Sequence, residues 1–224
     1  MDARFSSKSV GLSGVKLSVI LALCLLASAT GLDLAAERGL GFSENLSSPL
    51  VLGAVFAALA GYVALPILRR FKAAQFIRED GPRAHLKKAG TPTMGGIFFI
   101  PVAVLVALVW TGFSAATLAV SAMTLAYGAI GWLDDWQVMR RRSNIGFSPK
   151  MILMLQVGFA VAFCAWAMAT QDAEITSVAL PLGLTLPLGF LFWPLAGFVL
   201  VAESNATNLT DGVDGLMGGA GAIA

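Results

Sequence analysis

Apolar residues run almost unbroken through six stretches of the chain, at about 16–32, 49–68, 95–113, 116–133, 151–170 and 187–202. Each approaches the ~20 residues that a helix needs to cross a hydrocarbon core. The pattern predicts an all-α, polytopic transmembrane bundle of six spans, forming a single membrane domain over residues 1–224. A seventh apolar run starts near Val213 and reaches Ala224 without a polar flank. The chain is therefore expected to be a C-terminally truncated fragment of a longer protein. Between spans, residues 174–186 alternate weakly among prolines and glycines and predict a small periplasmic hairpin.

Composition sharpens the class. The chain is 57% hydrophobic and 12% charged, with a mean hydropathy of +0.80. Soluble domains carry about 25% charged residues, so a water-soluble globule and a disordered chain are both excluded. Two cysteines exclude a disulfide scaffold, and a single histidine, His85, excludes a His-cluster metal site within these residues.

Fourteen of the 15 Lys and Arg residues fall in alternate segments. Three lie near the N-terminus, seven in 69–92 and four in 134–150, whereas 33–48 holds only Arg38. By the positive-inside rule, the N-terminus and the loops 69–94, 134–150 and 203–215 face the cytoplasm. The first run also has signal-peptide features, with Arg4, Lys8 and Lys16 before an apolar core and Ala27-Ser28-Ala29 after it. The charge alternation works better if that run stays in place as a span.

The three inner loops hold the polar chemistry. In the first, Asp80-Gly81-Pro82 and Gly90-Thr91-Pro92 are turn signals. Lys87, Lys88, Thr91 and Thr93 are donors suited to phosphate oxygens, and Gly95-Gly96 permits close backbone approach at a helix start. The plainer reading is a basic loop that only sets topology. In the second, Asp134 and Asp135 close an apolar span. Adjacent carboxylates there are costly and repel unless a cation or proton intervenes. Mg²⁺, which favours oxygen ligands and substrate phosphates, is the natural guest. The competing reading is a pair of interfacial acids screened by Arg140, Arg141 and Arg142. Lys150, beginning the next helix, is within reach of the same region. The third loop places Asn205, Asn208, Thr210, Asp211 and Asp214 within ten residues. If locally helical, Asn205, Asn208 and Asp211 share one face. Carboxamides with carboxylates suit a nucleotide, a sugar or hydrated Mg²⁺.

Other features read as structural. Asn45-Leu46-Ser47, Asn205-Ala206-Thr207 and Asn208-Leu209-Thr210 fit the glycosylation pattern, but the last two lie on the inner side. Cys24 and Cys164 read as small core residues, Trp132 and Trp136 as interfacial anchors. Gly218-Gly219-Ala220-Gly221 reads as close helix packing, and His85 as a solvated loop residue.

Three motifs together resemble the MraY family of phospho-N-acetylmuramoyl-pentapeptide transferases, within the polyprenyl-phosphate N-acetylhexosamine-1-phosphate transferases. They are DGPRAHLKKAGTPTMGG at 80–96, GWLDDW at 131–136 with NIGFSPK at 144–150, and NATNLTDGVDGL at 205–216. The resemblance implies a Mg²⁺-dependent enzyme of peptidoglycan synthesis, cell-wall biogenesis, cell shape and cell division. Undecaprenyl phosphate attacks the sugar-linked phosphate of UDP-MurNAc-pentapeptide, giving lipid I and UMP. It implies catalytic and metal-binding roles for Asp134, Asp135 and Asp211. It implies substrate-binding roles for Lys88, Thr93, Asn205, Asn208, Asp214 and Lys150, with Asp214 nearer the uracil. A homodimer in the lipid bilayer is the family expectation, with no nucleic acid partner.

The chain departs from that family in length. Members have about ten spans, with a further magnesium-binding Asp and a His-rich loop that the resemblance places later in the chain. The fragment alone is accordingly expected to be inactive. The alternatives are a WecA-type polyprenyl-phosphate GlcNAc-1-phosphate transferase, a non-catalytic transporter with an acidic cation site, and a truncated relic. The HLKKAG segment argues against the first. The clustering of charge at the inner ends of spans, rather than at mid-membrane, argues against the second.

Overall fold

The computed structural model describes residues 14–38, 44–70, 94–141 and 146–210. Within them the fold is an all-α membrane bundle. Its helices are α1 (Gly14–Ala35), α2 (Ser47–Arg70), α3 (Gly96–Trp110), α4 (Ala115–Arg141), α5 (Pro149–Thr170) and α6 (Phe192–Thr210). Packing follows chain order: α1 against α2, α2 against α3, α3 against α4, α4 against α5, and α5 against α6. Five of the six helices are long and apolar enough to cross a membrane. The exception is α3, with 15 residues. It rises only ~22 Å at 1.5 Å per residue and ends where Gly112 takes a left-handed φ of +60° to turn the chain into α4.

Two predicted boundaries are corrected. The span expected to close at residue 133 continues to Arg141, so Asp134 and Asp135 lie inside α4 rather than in the following loop. The span expected to end at 202 continues to Thr210, so Glu203 to Thr210 are helical. Both extensions are polar, and a helix that leaves hydrocarbon for water keeps its internal backbone bonds at no cost. The seventh run near Val213 and the glycines at 218–221 lie outside the described residues. The predicted hairpin is present. Strands β1 (Ser177–Ala179) and β2 (Thr185–Pro187) pair antiparallel, with Val178 opposite Leu186. Leu182 (φ 67°) and Gly183 (φ 75°) turn the chain between them.

The bundle is apolar outside and sparsely apolar inside. Leu23, Val63, Leu105, Met154, Val161 and Phe198 are among many large apolar side chains that face outward. Asp33, Asn45, Ser121 and Gln156 are buried. This is the inversion a lipid solvent imposes: tails accept apolar surface freely, whereas polar groups must find partners within the protein. Cys164 is buried as expected, but Cys24 is exposed on α1, which corrects its reading as a core residue. Helices approach closely where one of them lacks a side chain. A Cβ on Gly61 of α2 would come within 3.1 Å of the Phe98 ring, and one on Gly128 of α4 within 3.1 Å of Ile100 Cδ1. The α3 side chains thus fit glycine notches on both neighbours.

The α1–α2 junction is held by polar capping. The Asp33 carboxylate accepts the backbone N–H groups of Leu46 (2.7 Å) and Ser47 (2.9 Å) and pairs with Arg38 at 3.6 Å. The Asn45 side chain accepts the N–H of Ser48 at 3.1 Å. Between them they satisfy donors that the first turn of α2 leaves unpaired. Asn45, which matches a glycosylation pattern in sequence, is here a buried capping residue. Asn45→Ala is expected to lower the unfolding free energy by about 1 kcal/mol, measured by unfolding in mixed detergent micelles. Asp33→Ala, which uncovers two amides and releases Arg38, is expected to lower it further; a smaller effect would make the α1–α2 clasp secondary.

Candidate active site

The site is built at the C-terminal end of α4. Asp134 and Asp135 are adjacent on a helix, so their side chains leave the axis about 100° apart. Each reaches a different neighbour. Asp134 Oδ1 accepts the backbone N–H of Phe147, at the entrance to α5. Asp135 Oδ2 accepts the N–H of Met94 at 3.2 Å, at the entrance to α3. Met94, in the left-handed region at φ 67°, is buried with Leu68 against Met139. The acidic pair therefore ties α4 to the segments entering both flanking helices, besides whatever it binds.

The α5 entrance is pinned twice. One turn beyond Asp134, Gln137 Nε2 donates to the Gly146 carbonyl at 3.0 Å. Gly146 lies so close that any Cβ there would collide with the Asp134 carboxylate. Ser148 then caps α5 by accepting the Met151 N–H at 3.3 Å, and Pro149 occupies the first helical position, where its missing N–H costs nothing. Lys150 follows on the exposed surface of the first turn.

On the α5–α6 side of Asp134 lies a cavity of about 80 Å³, lined by Tyr127, Ile130, Gly131, Asp134, Ile152, Gln156, Ser204 and Asn208. It is large enough for a few waters or a small hydrated ion and far too small for a sugar nucleotide. The second and third motifs, distant in sequence, thus meet: Asp134 and Asn208 share its wall. Asn205 stands one turn before Asn208. Its amide nitrogen donates to Gln156 Oε1 and to the Val201 carbonyl, each at 2.8 Å. Both amide hydrogens are thereby accounted for.

Lys150 does not line this cavity, and Lys88, Thr93, Asp211 and Asp214 lie outside the described residues. No group of three or more His, Cys, Asp or Glu side chains converges among the described residues. The oxygens beside the cavity, from Asp134, Ser204 and Asn208, are hard donors of the type Mg²⁺ prefers. Tyr127 and Gln156 were not singled out in the sequence. A signal existed for Gln156, the one carboxamide in the apolar run 151–170.

Comparison with known proteins adds the lineage. The model of glycosyl transferase family 4 matches residues 117–224, and phospho-N-acetylmuramoyl-pentapeptide-transferase signature 1 matches residues 88–100. The phospho-N-acetylmuramoyl-pentapeptide-transferase of Nostoc sp. is 60% identical across 100% of this chain and 61% of its own length. The Trichormus variabilis protein of the same name is 59% identical over 100% of this chain and 62% of its own. That of Rippkaea orientalis is 56% identical over 95% of this chain and 58% of its own. The chain spans about three fifths of the length of these relatives. The family 4 match holds the acidic pair, the pinned Gly146 turn and the whole polar wall of the cavity.

Gly146→Ala forces the α5 entrance away from Asp134. Overpacking of this kind costs about 1–3 kcal/mol, to be read as lower detergent stability of the variant. Gly131→Ala, on the same helix with open space at its Cβ, is the control and is expected to change stability much less. Equal effects would show that the Gly146–Asp134 contact is not special.

Proposed function

We propose that the protein transfers phospho-MurNAc-pentapeptide from UDP-MurNAc-pentapeptide to undecaprenyl phosphate, at the cytoplasmic face of the bacterial inner membrane. A phosphate oxygen of the lipid carrier attacks the phosphorus next to the sugar. The bond from that phosphorus to the UMP oxygen breaks, so lipid I forms and UMP leaves. The observation that carries this reading is the shared cavity wall of Asp134 and Asn208, built from two separate motifs in a membrane bundle. The whole-chain identity to proteins named for this transfer supports it.

The physical problem of the reaction is charge. Both reactants are anionic, one confined to the bilayer and the other dissolved in water. Asp134, Asp135 and Asp211 would hold Mg²⁺, which when bound neutralises phosphate charge as the transfer proceeds. Asn208 and the Asn205 carbonyl orient the nucleotide side, with Asp214 nearer the uracil. Lys88, Thr93 and Lys150 provide donors and positive charge for phosphate oxygens. Alignment of the two phosphates accounts for much of the remaining acceleration.

A radiolabelled transfer assay in detergent tests this, using the 224-residue chain beside a version extended to the length of its relatives. Lipid-linked product is expected from the extended chain with Mg²⁺, and none with excess EDTA until Mg²⁺ is restored. Asp134→Asn and Asp135→Asn in the extended chain are each expected to lower the rate by roughly 10²-fold or more. Absence of product from the extended chain at saturating substrates, with the protein folded, overturns the proposal. Product from the shorter chain would show that the three motifs suffice.

A further inference from the structure

Gln156 is 5% exposed within the apolar run of α5, and its backbone and side chain together join three helices. Its backbone carbonyl accepts the Tyr127 hydroxyl of α4 at 2.9 Å. Its Nε2 donates to Ser204 Oγ of α6 at 3.0 Å, and its Oε1 accepts from Asn205 Nδ2 of α6 at 2.8 Å. Building on the proposed transfer, we infer that Gln156 is a positioning residue for nucleotide binding: it sets the rotation of α6 that brings Asn208 to the cavity beside Asp134.

The argument is geometric. Ser204 and Asn205 are consecutive, so their side chains diverge by about 100° around the α6 axis. One carboxamide holds both, giving to the hydroxyl and accepting from the amide. A modest rotation or slide of α6 breaks at least one bond, and the small cavity beside Gln156 and Ser204 has room for only a few waters to replace it. Apolar packing is non-directional and would tolerate that rotation. Asn208 lies four residues after Ser204 and three after Asn205, on the same face of α6. The rotation fixed at Gln156 therefore decides whether Asn208 meets Asp134. The α4–α5 link is independent of this, because the Tyr127 hydroxyl binds the backbone of residue 156 and not its side chain. Removing the carboxamide releases α6 alone.

The test is Gln156→Leu in the extended, transferring protein, with both Michaelis constants measured. KM for the sugar nucleotide is expected to rise roughly tenfold, with KM for the lipid phosphate unchanged. Ser204→Ala is expected to raise the nucleotide KM less, and to add nothing on top of Gln156→Leu. A loss of Vmax with both KM values intact, as a smaller folded fraction would produce, overturns the inference.

A second measurement does not depend on transfer. In the 224-residue chain with Cys24 and Cys164 replaced by Ala, the substitutions Ile152→Cys and Asn208→Cys put two thiols on the wall of the same cavity. Their cross-linking by a short bifunctional maleimide, followed by mass spectrometry, is expected to slow several-fold when Gln156→Leu is added. Unchanged cross-linking overturns the inference. Cross-linking as expected here, with no transfer by the folded extended chain, would refute the proposed function and leave the role of Gln156 in setting α6 intact.

Discussion

Gln156, Ser204 and Asn205 hold one another beside a small cavity between α4, α5 and α6. Hydrogen bonds between membrane helices are individually modest, about 0.6 kcal/mol on average. Their value here is directional. Elsewhere between α5 and α6, the Cys164 thiol makes a longer and weaker contact with the Trp193 carbonyl at 4.0 Å, which selects a rotation only loosely. The polar trio selects one. The position of Asn208, the shape of the cavity and its approach to Asp134 all follow from that selection.

The acidic pair illustrates a second use of the same constraint. Two neighbouring carboxylates at the end of a membrane helix invite the reading of a shared cation site. Instead, their side chains diverge, one to the Phe147 amide and one to the Met94 amide. The carboxylates thus organise the entrances of α5 and α3 around α4. A metal role is compatible with this, because a carboxylate has about four lone-pair directions and a backbone amide takes one. The pinned amides fix the direction in which the rest of the carboxylate looks, and Gly146 keeps that approach open by having no side chain.

Much of the architecture follows from apolarity alone. Five helices of membrane-crossing length and a small hairpin were legible as runs and breaks in hydropathy, whereas the run 95–113, read as a full span, forms a helix of only 15 residues. The polar ends of α4 and α6 were not, because the residues that follow Leu133 and Ala202 read as loop by composition. Their backbone bonds are made within the helix and are indifferent to whether the side chains meet lipid or water. Asn45 shows the limit of a local pattern: it matches the glycosylation motif, reads as structural, and is committed to capping α2.

What the sequence determined by itself were quantities carried along the chain: helix placement, the alternation of charge, and the identity of the chemical groups in each motif. These depend on neighbours in sequence and on transfer into lipid, so they can be read one segment at a time. Tertiary structure alone decided which groups face each other. It turned Asp134 and Asp135 apart, set Asn208 beside Asp134, and made Gln156 the joint between α4, α5 and α6. Those outcomes depend on the rotation and slide of one helix against another. In an apolar solvent that choice is made by a few directional polar contacts whose partners lie dozens of residues away.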